Sequence, residues 1–196
     1  MLCVESRPEL VASSRELASR VGFERMDFVE ARIQEAEAKV EGPVHVVTAL
    51  HACDTATDEA LVFALRKGAR FVALVPCCQA EVARLLETAP VDPSLKPLFR
   101  HPIQRRDFGA QLTNVLRALV LEAHGYRVRV TELVGWEHSL KNELILAEKV
   151  QGTNGQARRQ LEALRERFPV QPWLFGQLET ASASFLRTET DPSQGR

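Results

Sequence analysis

The sequence predicts a mixed α/β fold in which one layered sheet is mostly parallel and ends in an antiparallel strand. Short runs of β-branched and apolar residues alternate with segments of helical spacing, which is typical of parallel strands joined by helices. The last two strand-like runs follow each other with no helix between them, which indicates an antiparallel pair. A chain of 196 residues with 45% hydrophobic residues is long enough to bury one sizeable core.

The first elements are read from a start signal and a stop signal. Ser6 and Glu9 have the spacing of a capping box, which predicts a helix with Pro8 in its first turn. The helix is expected to run to Val21, because Gly22 is a typical stop. Three further elements follow from the pattern: strands at residues 2–4 and 26–31 and a short helix at residues 33–39.

Two runs in the middle of the chain are apolar almost throughout. Residues 44–50 (VHVVTAL) and residues 71–75 (FVALV) have the composition of strands covered on both faces in a parallel sheet. The helix between these two strands is predicted to be capped by Thr55 and Asp58 and to end at Gly68. These strands are therefore placed at the centre of the sheet.

The remaining chain is predicted as helices around one antiparallel pair. Four prolines between residues 90 and 102 predict a loop without regular structure. The elements expected around it are a helix at 81–88, a long helix over 108–120, a pair of strands at 126–134 and 143–150, and a helix at 156–168. Residues 1–150 form the predicted domain, and residues 151–196 add a helix and a polar tail.

Charge and cysteine content narrow the class of protein. Lysine plus arginine (25) nearly equals aspartate plus glutamate (26), so the overall charge gives no attraction to a polyanion. Two of the four cysteines are adjacent and poorly placed to bridge each other, which argues against a secreted disulfide framework. Neither a signal peptide nor a membrane span is expected. A soluble cytoplasmic protein is predicted.

Unusual segments follow the two central strands. Residues 51–58 (HACDTATD) come after the first and residues 75–79 (VPCCQ) after the second. Together with residues 105–108 (RRDF) and 137–142 (EHSLKN), they resemble class I S-adenosylmethionine-dependent methyltransferases. The similar group carries HxCxxATD and CC(H/Q) segments and includes a tRNA 2′-O-methyltransferase and the glutathione-transferase C-terminal-domain protein. The resemblance spans about residues 2–150.

This resemblance implies a Rossmann-like methyltransferase sheet that is entered at its second strand. The first strand and the glycine-rich cofactor loop of the family would lie upstream of Met1, so the domain is expected to be incomplete at its amino end. Without that strand, the sheet is expected to leave a gap or rearrange. A start codon assigned too far downstream and a true fragment or degenerate copy both explain this.

The resemblance also implies S-adenosylmethionine as the cofactor. Glu5 matches the family acid that holds the ribose hydroxyls, and Ser6 adjoins it. Arg32 stands where relatives often carry an acid for the adenine amine, so backbone around Arg32 and Ile33 is expected to bracket the base instead. Leu50, at the end of the central strand, completes the predicted cofactor contacts.

Two residues are candidates for proton removal from the methyl acceptor. His51 follows the carboxyl end of the central strand, where open α/β sheets place their ligand sites, and its ordinary pKa is near neutral. Asp54 is a second candidate base and stands where relatives usually have glycine. The alternatives remain open: His51 makes a structural hydrogen bond, or Asp54 caps the following helix.

Other polar side chains are expected around the acceptor. Cys53, Cys77 and Cys78 are predicted to converge with His51 at the carboxyl ends of the two central strands, where the cysteines form the wall of the substrate pocket. The usual CxxC and HxxxH ligand spacings are absent, so no metal is predicted. Arg105 and Arg106, in the proline-rich loop, are candidates to contact nucleic-acid phosphate or are simply solvated. His138 and Asn142, between the last two strands, are expected to close over the substrate.

The predicted activity is direct transfer of the sulfonium methyl group to a nucleophile, aligned by the enzyme. The Asn/Asp-Pro-Pro-Tyr motif of many amino-methyltransferases is missing after the central strand, which disfavours a base amine as acceptor. An RNA hydroxyl, a small molecule and a protein remain as acceptors. The alternative function is a non-catalytic methyltransferase-like binding module. The sequence does not specify an oligomeric state.

Overall fold

The chain alternates strands and helices in the predicted order. The computed structural model describes residues 1–50, 52–77, 79–135, 143–150 and 152–185. Its strands are β1 (Leu2–Glu5), β2 (Asp27–Glu30), β3 (Val46–Leu50), β4 (Phe71–Val75), β5 (Tyr126–Glu132) and β6 (Glu143–Lys149). Its helices are α1 (Pro8–Arg20), α2 (Ile33–Lys39), α3 (Thr55–Arg66), α4 (Glu81–Thr88), a 3₁₀ helix (Lys96–Phe99), α5 (Pro102–Ala123), α6 (Gly155–Arg167) and α7 (Trp173–Phe185).

The strands form two sheets. β1 and β2 pair in parallel, and the second sheet has the order β3-β4-β6-β5. β3 and β4 are parallel, whereas β6 runs antiparallel to both β4 and β5. The predicted α/β class, with parallel strands and an antiparallel end, is therefore confirmed. β1 and β3 do not pair within the described chain, which agrees with the expectation that the sheet leaves a gap or rearranges where the first strand of the family is missing.

The start of α1 differs from the predicted capping box. The N-cap residue is Arg7, and its side chain makes no capping hydrogen bond. The Arg7 backbone N–H instead donates to Glu5 Oε1 at 3.0 Å, which links the N-cap residue to the end of β1. The predicted stop is confirmed, since Gly22 has a positive φ of 75°, which glycine adopts at low cost.

The predicted caps of α3 are also wrong. The helix begins after Asp54, and the Asp54 side chain makes no hydrogen bond to the first turn of α3. Asp58 is buried and pairs with Arg117, so its carboxylate is directed into the protein interior. Long-range pairing has displaced the local capping role.

The long helix α5 begins earlier than the proline pattern predicted. Pro102 lies in its first turn, where proline is favoured because its missing N–H has no intrahelical partner. Arg105 and Arg106 therefore lie on α5 and not in a loop. Further along α5, Gly109 allows a close approach to α4: a Cβ there would stand 2.8 Å from the backbone of Ala83.

The main core lies on one face of the four-stranded sheet. Val72, Leu74 and Ile145 are fully buried there, in a cluster shared with residues of α3 and α5. The opposite face is open at β3, where Leu50 is 63% exposed, but its register partner Val75 in β4 is 1% exposed. The prediction that both central strands are covered on two faces is therefore wrong for β3 and met only in part for β4.

Within the described residues two helices follow the last strand, and only the first was predicted. Asn154 caps α6, since its side-chain oxygen accepts from the N–H groups of Gln156 and Ala157. α7 packs against α3 and places Phe175 in the core. Among the described helices, none has the length and apolar character needed to cross a membrane.

Candidate functional site

The ends of β1 and β2 bring together the residues predicted to contact a cofactor. The backbone N–H of Ala31 donates to the Glu5 carbonyl at 3.1 Å, which extends the register of the two strands. Arg32, the next residue, is the N-cap of α2. Glu5, Ser6 and Arg32 therefore lie at one edge of the two-stranded sheet.

Glu5 carries a fixed negative charge at this edge. Arg7 donates Nε to Oε1 at 3.1 Å and Nη2 to Oε2 at 3.2 Å. These side-chain hydrogen bonds, with that from the Arg7 backbone, lower the pKa of Glu5 to about 2. The carboxylate is therefore ionised at neutral pH and acts only as a hydrogen-bond acceptor. Ser6 beside it is exposed.

The two residues expected near the adenine lie at the start of α2 and differ in exposure. Arg32 is exposed, and its carbonyl accepts from the Glu35 N–H at 2.9 Å. Ile33 is half-buried and lines a groove of about 280 Å³ between α2, α3 and α7, together with Phe63 and Trp173. The backbone at residues 31–33 is thus fixed by helix α2 beside the end of β1.

A second group of residues lies at the carboxyl ends of β3 and β4. Leu50 pairs in register with Val75, so the loops after these strands leave the sheet side by side. Cys53 Sγ and Cys77 Sγ are 3.1 Å apart. The predicted meeting of these two cysteines at the sheet edge is therefore found in the structure.

Asp54 joins these two loops. Its Oδ1 accepts from the backbone N–H groups of Ala80 and Glu81, both at 3.0 Å, and Arg84 donates to Oδ2 at 3.1 Å. Burial raises the pKa of Asp54, but these hydrogen bonds outweigh it and lower the pKa overall. Asp54 therefore caps α4 across the site, rather than α3 as the capping alternative predicted.

The backbone at Asp54 is unusual for a residue with a side chain. Its φ is 51° and its ψ is −121°, a region that favours glycine. A glycine would fit this conformation without strain, whereas here the three hydrogen bonds of the Asp54 carboxylate hold it. The aspartate at this position thus has a structural reason.

A buried arginine that was not predicted as a site residue supports the loop after β3. Arg117 on α5 is 1% exposed, and it donates to both carboxylate oxygens of Asp58 at 2.7 and 2.9 Å. Its Nη2 also donates to the Asp54 carbonyl at 2.9 Å. Such a bidentate pair is strong and directional. Arg117 therefore anchors the loop after β3 to both α3 and α5.

The same network reaches the loop after β4. Asn114 Oδ1 accepts from Arg117 Nη1 at 3.2 Å and from Gln79 Nε2 at 3.0 Å. Thr57 Oγ1 donates to the Ala52 carbonyl. A sequence signal existed, because Asn114 and Arg117 are three residues apart and interrupt an apolar helix face. Their partners Asp58 and Gln79 are distant in sequence, and no local pattern indicated the pairing.

The remaining predicted site residues are divided. Arg105 is half-buried and pairs with Glu87 at 3.2 Å, and Arg106 pairs with Asp107 at 2.9 Å. Both guanidinium groups thus have carboxylate neighbours on the protein. Four predicted residues, His51, Cys78, His138 and Asn142, lie outside the described residues. Within the described part, no three His, Cys, Asp or Glu side chains are grouped as a metal site would require.

Comparison with known proteins points to methyltransferases. Residues 1–85 match a protein-family model described as a methyltransferase domain. The matched region spans both strand edges described above, from Glu5 to the first residues of α4. The amino-terminal 85 residues are therefore similar to a methyltransferase domain.

Two curated proteins are similar over most of the chain. Both are glutathione S-transferase C-terminal domain-containing proteins. The one from Xenopus laevis is 23% identical over 171 residues, which is 76% of this chain and 27% of the relative. The one from Bos taurus is 25% identical over 170 residues, which is 74% and 26%. The chain thus spans about a quarter of the length of these relatives.

Solved structures show weaker similarity. An rRNA methylase from Streptococcus thermophilus superposes with a TM-score of 0.48 at 14% identity, over 76% of this chain and 73% of the methylase. A Corynebacterium glutamicum protein gives a TM-score of 0.46 at 16% identity, over 78% and 62%. At these values neither structure bears on the function of the chain.

Proposed function

We propose that the protein transfers a methyl group from S-adenosylmethionine to a nucleophilic acceptor. The observation that carries this proposal is the match of residues 1–85 to a methyltransferase domain. Glu5, at the end of β1, is an ionised carboxylate with a pKa of about 2. It fits the cofactor's ribose, because it can accept hydrogen bonds from hydroxyl groups. A carboxylate oxygen accepts up to two hydrogen bonds: Oε2 accepts once from Arg7 and keeps a lone pair for a ribose hydroxyl, whereas Oε1 already accepts twice from Arg7.

The chain's own residues would hold the cofactor at this edge. Glu5 would accept from the ribose hydroxyls, with Ser6 beside it, and the backbone at Arg32 and Ile33 would flank the adenine. Leu50 would contact the cofactor from the end of β3. When bound, S-adenosylmethionine supplies a sulfonium methyl group that a nucleophile takes directly.

Proton removal from the acceptor is the second task. His51 is the proposed base, because it follows β3 at the ligand edge and an imidazole titrates near neutral pH. Asp54 is the weaker base, since its lowered pKa and three hydrogen bonds favour the ionised, engaged carboxylate. We therefore assign Asp54 to positioning the loop after β3.

The acceptor is proposed to meet the β3 and β4 edge in the cytoplasm. The side chains assigned to its pocket are Cys53, Cys77, Cys78, Arg105, Arg106, His138 and Asn142. RNA is one proposed acceptor, and small molecules and proteins are the others. Salt-dependent binding of an RNA acceptor would distinguish it, because phosphate contacts release counterions.

A non-catalytic binding module is the second candidate. The observation that favours it is the open face of the four-stranded sheet, where Phe71 and Leu146 are exposed beside Val46 and Leu50. An exposed apolar face of this kind is typical of an interaction surface. Such a module would bind neither S-adenosylmethionine nor its product.

Calorimetric titration with S-adenosylmethionine and S-adenosylhomocysteine separates the two candidates. It is made on the chain and on a form extended in frame by about 60 residues at the amino end, enough for a strand, a loop and a helix. Binding by either form supports the enzyme. Binding by neither contradicts methyl transfer and leaves the module.

The Glu5→Gln variant tests the site itself. Loss of a charge-assisted hydrogen bond costs about 1.5–3 kcal/mol, so the Kd is expected to rise about 10-fold to 100-fold. Glu9→Gln, the same change on α1, is the matched control and should leave the Kd unchanged. Equal effects of both substitutions would remove Glu5 from the cofactor site.

A further inference from the structure

Two thiols from separate loops approach each other closely. Cys53 follows β3 and Cys77 follows β4, and their Sγ atoms are 3.1 Å apart, although 24 residues separate them. A disulfide bond is about 2.0 Å long, so a small side-chain movement would join them. Cys53 is exposed and Cys77 is half-buried, so a reagent in solution reaches Cys53 more readily than Cys77.

Each of the two loops is anchored both before and after its cysteine. Before them, Leu50 and Val75 are paired in the sheet. After them, the Asp54 side chain binds the N–H groups of Ala80 and Glu81. The proximity of the sulfurs is therefore set by anchored backbone, and fixed proximity strongly favours reaction between two groups.

The buried arginine network adds a third restraint. Arg117 donates to the Asp54 carbonyl at 2.9 Å, one residue after Cys53. Through Asn114 the same network reaches Gln79, two residues after Cys77. Opening the pair would therefore require the loops to leave a buried, fully hydrogen-bonded cluster.

We propose that Cys53 and Cys77 form an oxidisable dithiol site that reacts with small-molecule disulfides such as glutathione disulfide. The Cys53 thiolate, which is the exposed one, attacks a glutathione sulfur, forms a mixed disulfide and releases one glutathione thiolate. The Cys77 thiolate then attacks Cys53 Sγ and releases the second glutathione thiolate. The protein loses two electrons, and the two protons of its thiols end on the two glutathione molecules.

The product would be a covalent bond between the loops after β3 and β4. This site does not depend on methyl transfer, because its chemistry needs only the two thiols and a disulfide reagent. It is a reversible modification site, because reducing agents would break the bond again. A Cys77–Cys78 bond is disfavoured, because disulfides between adjacent cysteines are geometrically unfavourable, and a bond between Cys53 and Cys78 is the competing product that the variants below test.

Peptide mapping of the protein after incubation with glutathione disulfide tests the proposal. Trypsin places Cys53 in residues 40–66 and Cys77 in residues 71–84. The two peptides are expected as one linked species that separates after reduction. The thiol count is expected to fall from four to two and to return to four with dithiothreitol.

Single variants decide which cysteines react. Cys78→Ser should keep the link, whereas Cys77→Ser should lose it and stop at a mixed disulfide with one glutathione. Cys53→Ser, at the exposed position, should lose the link with the least effect on folding, which circular dichroism checks. A link that is lost in Cys78→Ser, or that never forms in the folded wild-type protein, would overturn the proposal.

A denatured control tests the role of the fold. In concentrated guanidinium chloride the loops are no longer anchored, so linkage of Cys53 to Cys77 is expected to lose its preference over linkage involving Cys3 or Cys78. The same preference in folded and unfolded protein would show that sequence proximity, and not the β3 and β4 edge, selects the pair.

Discussion

The first 43 residues and the rest of the chain differ sharply in how they are packed. The amino-terminal unit, defined as β1, α1, β2 and α2, buries only small or β-branched residues: Val11, Ala18, Ala31, Ala36 and Val40. The larger unit, from Val44 onward, contains every residue of the main hydrophobic cluster. Because burial of apolar surface is the principal stabilising term, the two units are expected to differ greatly in stability.

The proposed cofactor contacts and the most extensively packed part of the fold lie in different units. The proposed cofactor contacts at Glu5, Ser6 and Arg32 lie in the thinly packed unit, whereas the anchored loops lie on the well-packed one. Regions with few buried contacts open at low free energy. Backbone amides of β1 and β2 are therefore expected to exchange hydrogen faster than those of β4 and β6.

The largest expected effect comes from the buried arginine. Arg117→Met removes the partner of Asp58 and leaves a buried carboxylate unpaired, which costs about 3–5 kcal/mol. Arg15→Met is the matched change in the amino-terminal unit, where Arg15 Nη2 donates to the Phe28 carbonyl at 2.8 Å on the surface. It is expected to change the free energy of unfolding by less than about 0.5 kcal/mol.

Urea unfolding followed by circular dichroism measures both variants. A loss of comparable size in the two would break the comparison between the units. A small loss in Arg117→Met alone would show that Asp58 gains water or another donor in the variant. The changes in the free energy of unfolding of the two variants can be compared directly, because both substitutions replace arginine by methionine.

Local signals explain which parts of the fold were predictable. The bounds of α2 and α4 were predicted, because short-range pattern defines them. Pro102 was misread as a loop residue, although proline in a first turn is a start signal. α7 was missed, because its contacts with α3 and the core, rather than a capping signal, support it. Local pattern thus located elements better than it located their neighbours.

The site shows the same limit more clearly. The meeting of Cys53 and Cys77 followed from the rule that parallel strands end at one edge. The pairing of Asp58 with Arg117 spans 59 residues, so no local rule predicted it. The open sheet face was also unpredictable, since apolar strands indicate a preference for burial and not the presence of a second cover.

A matched pair of valines gives an intermediate effect. Val72→Ala, at a residue 1% exposed in β4, is expected to lower the free energy of unfolding by about 2 kcal/mol through lost burial and a cavity. Val11→Ala, at a residue 4% exposed in α1, is expected to leave the main transition unchanged. It should instead speed hydrogen exchange in β1 and β2. Equal shifts of the main urea transition would show that the two units unfold together.

The smallest expected effect concerns two carboxylates with lowered pKa, Asp54 in the larger unit and Glu5 in the other. Asp54→Asn keeps an oxygen acceptor for the N–H groups of Ala80 and Glu81 but loses the charge and the Arg84 pair. The expected loss at neutral pH is about 0.5–1 kcal/mol, within the range for helix caps. Glu5→Gln is expected to leave the main unfolding transition unchanged.

The pH dependence fixes the sign of the Asp54 effect. A carboxylate whose folded pKa lies below its unfolded value contributes stability above the unfolded pKa and loses it as pH falls through the folded pKa. The unfolded value is near 3.8, so the difference between wild type and Asp54→Asn should be constant at neutral pH and shrink below about pH 4. A difference that grows on acidification would mean that Asp54 is held protonated, and would return it to consideration as a proton-transfer group.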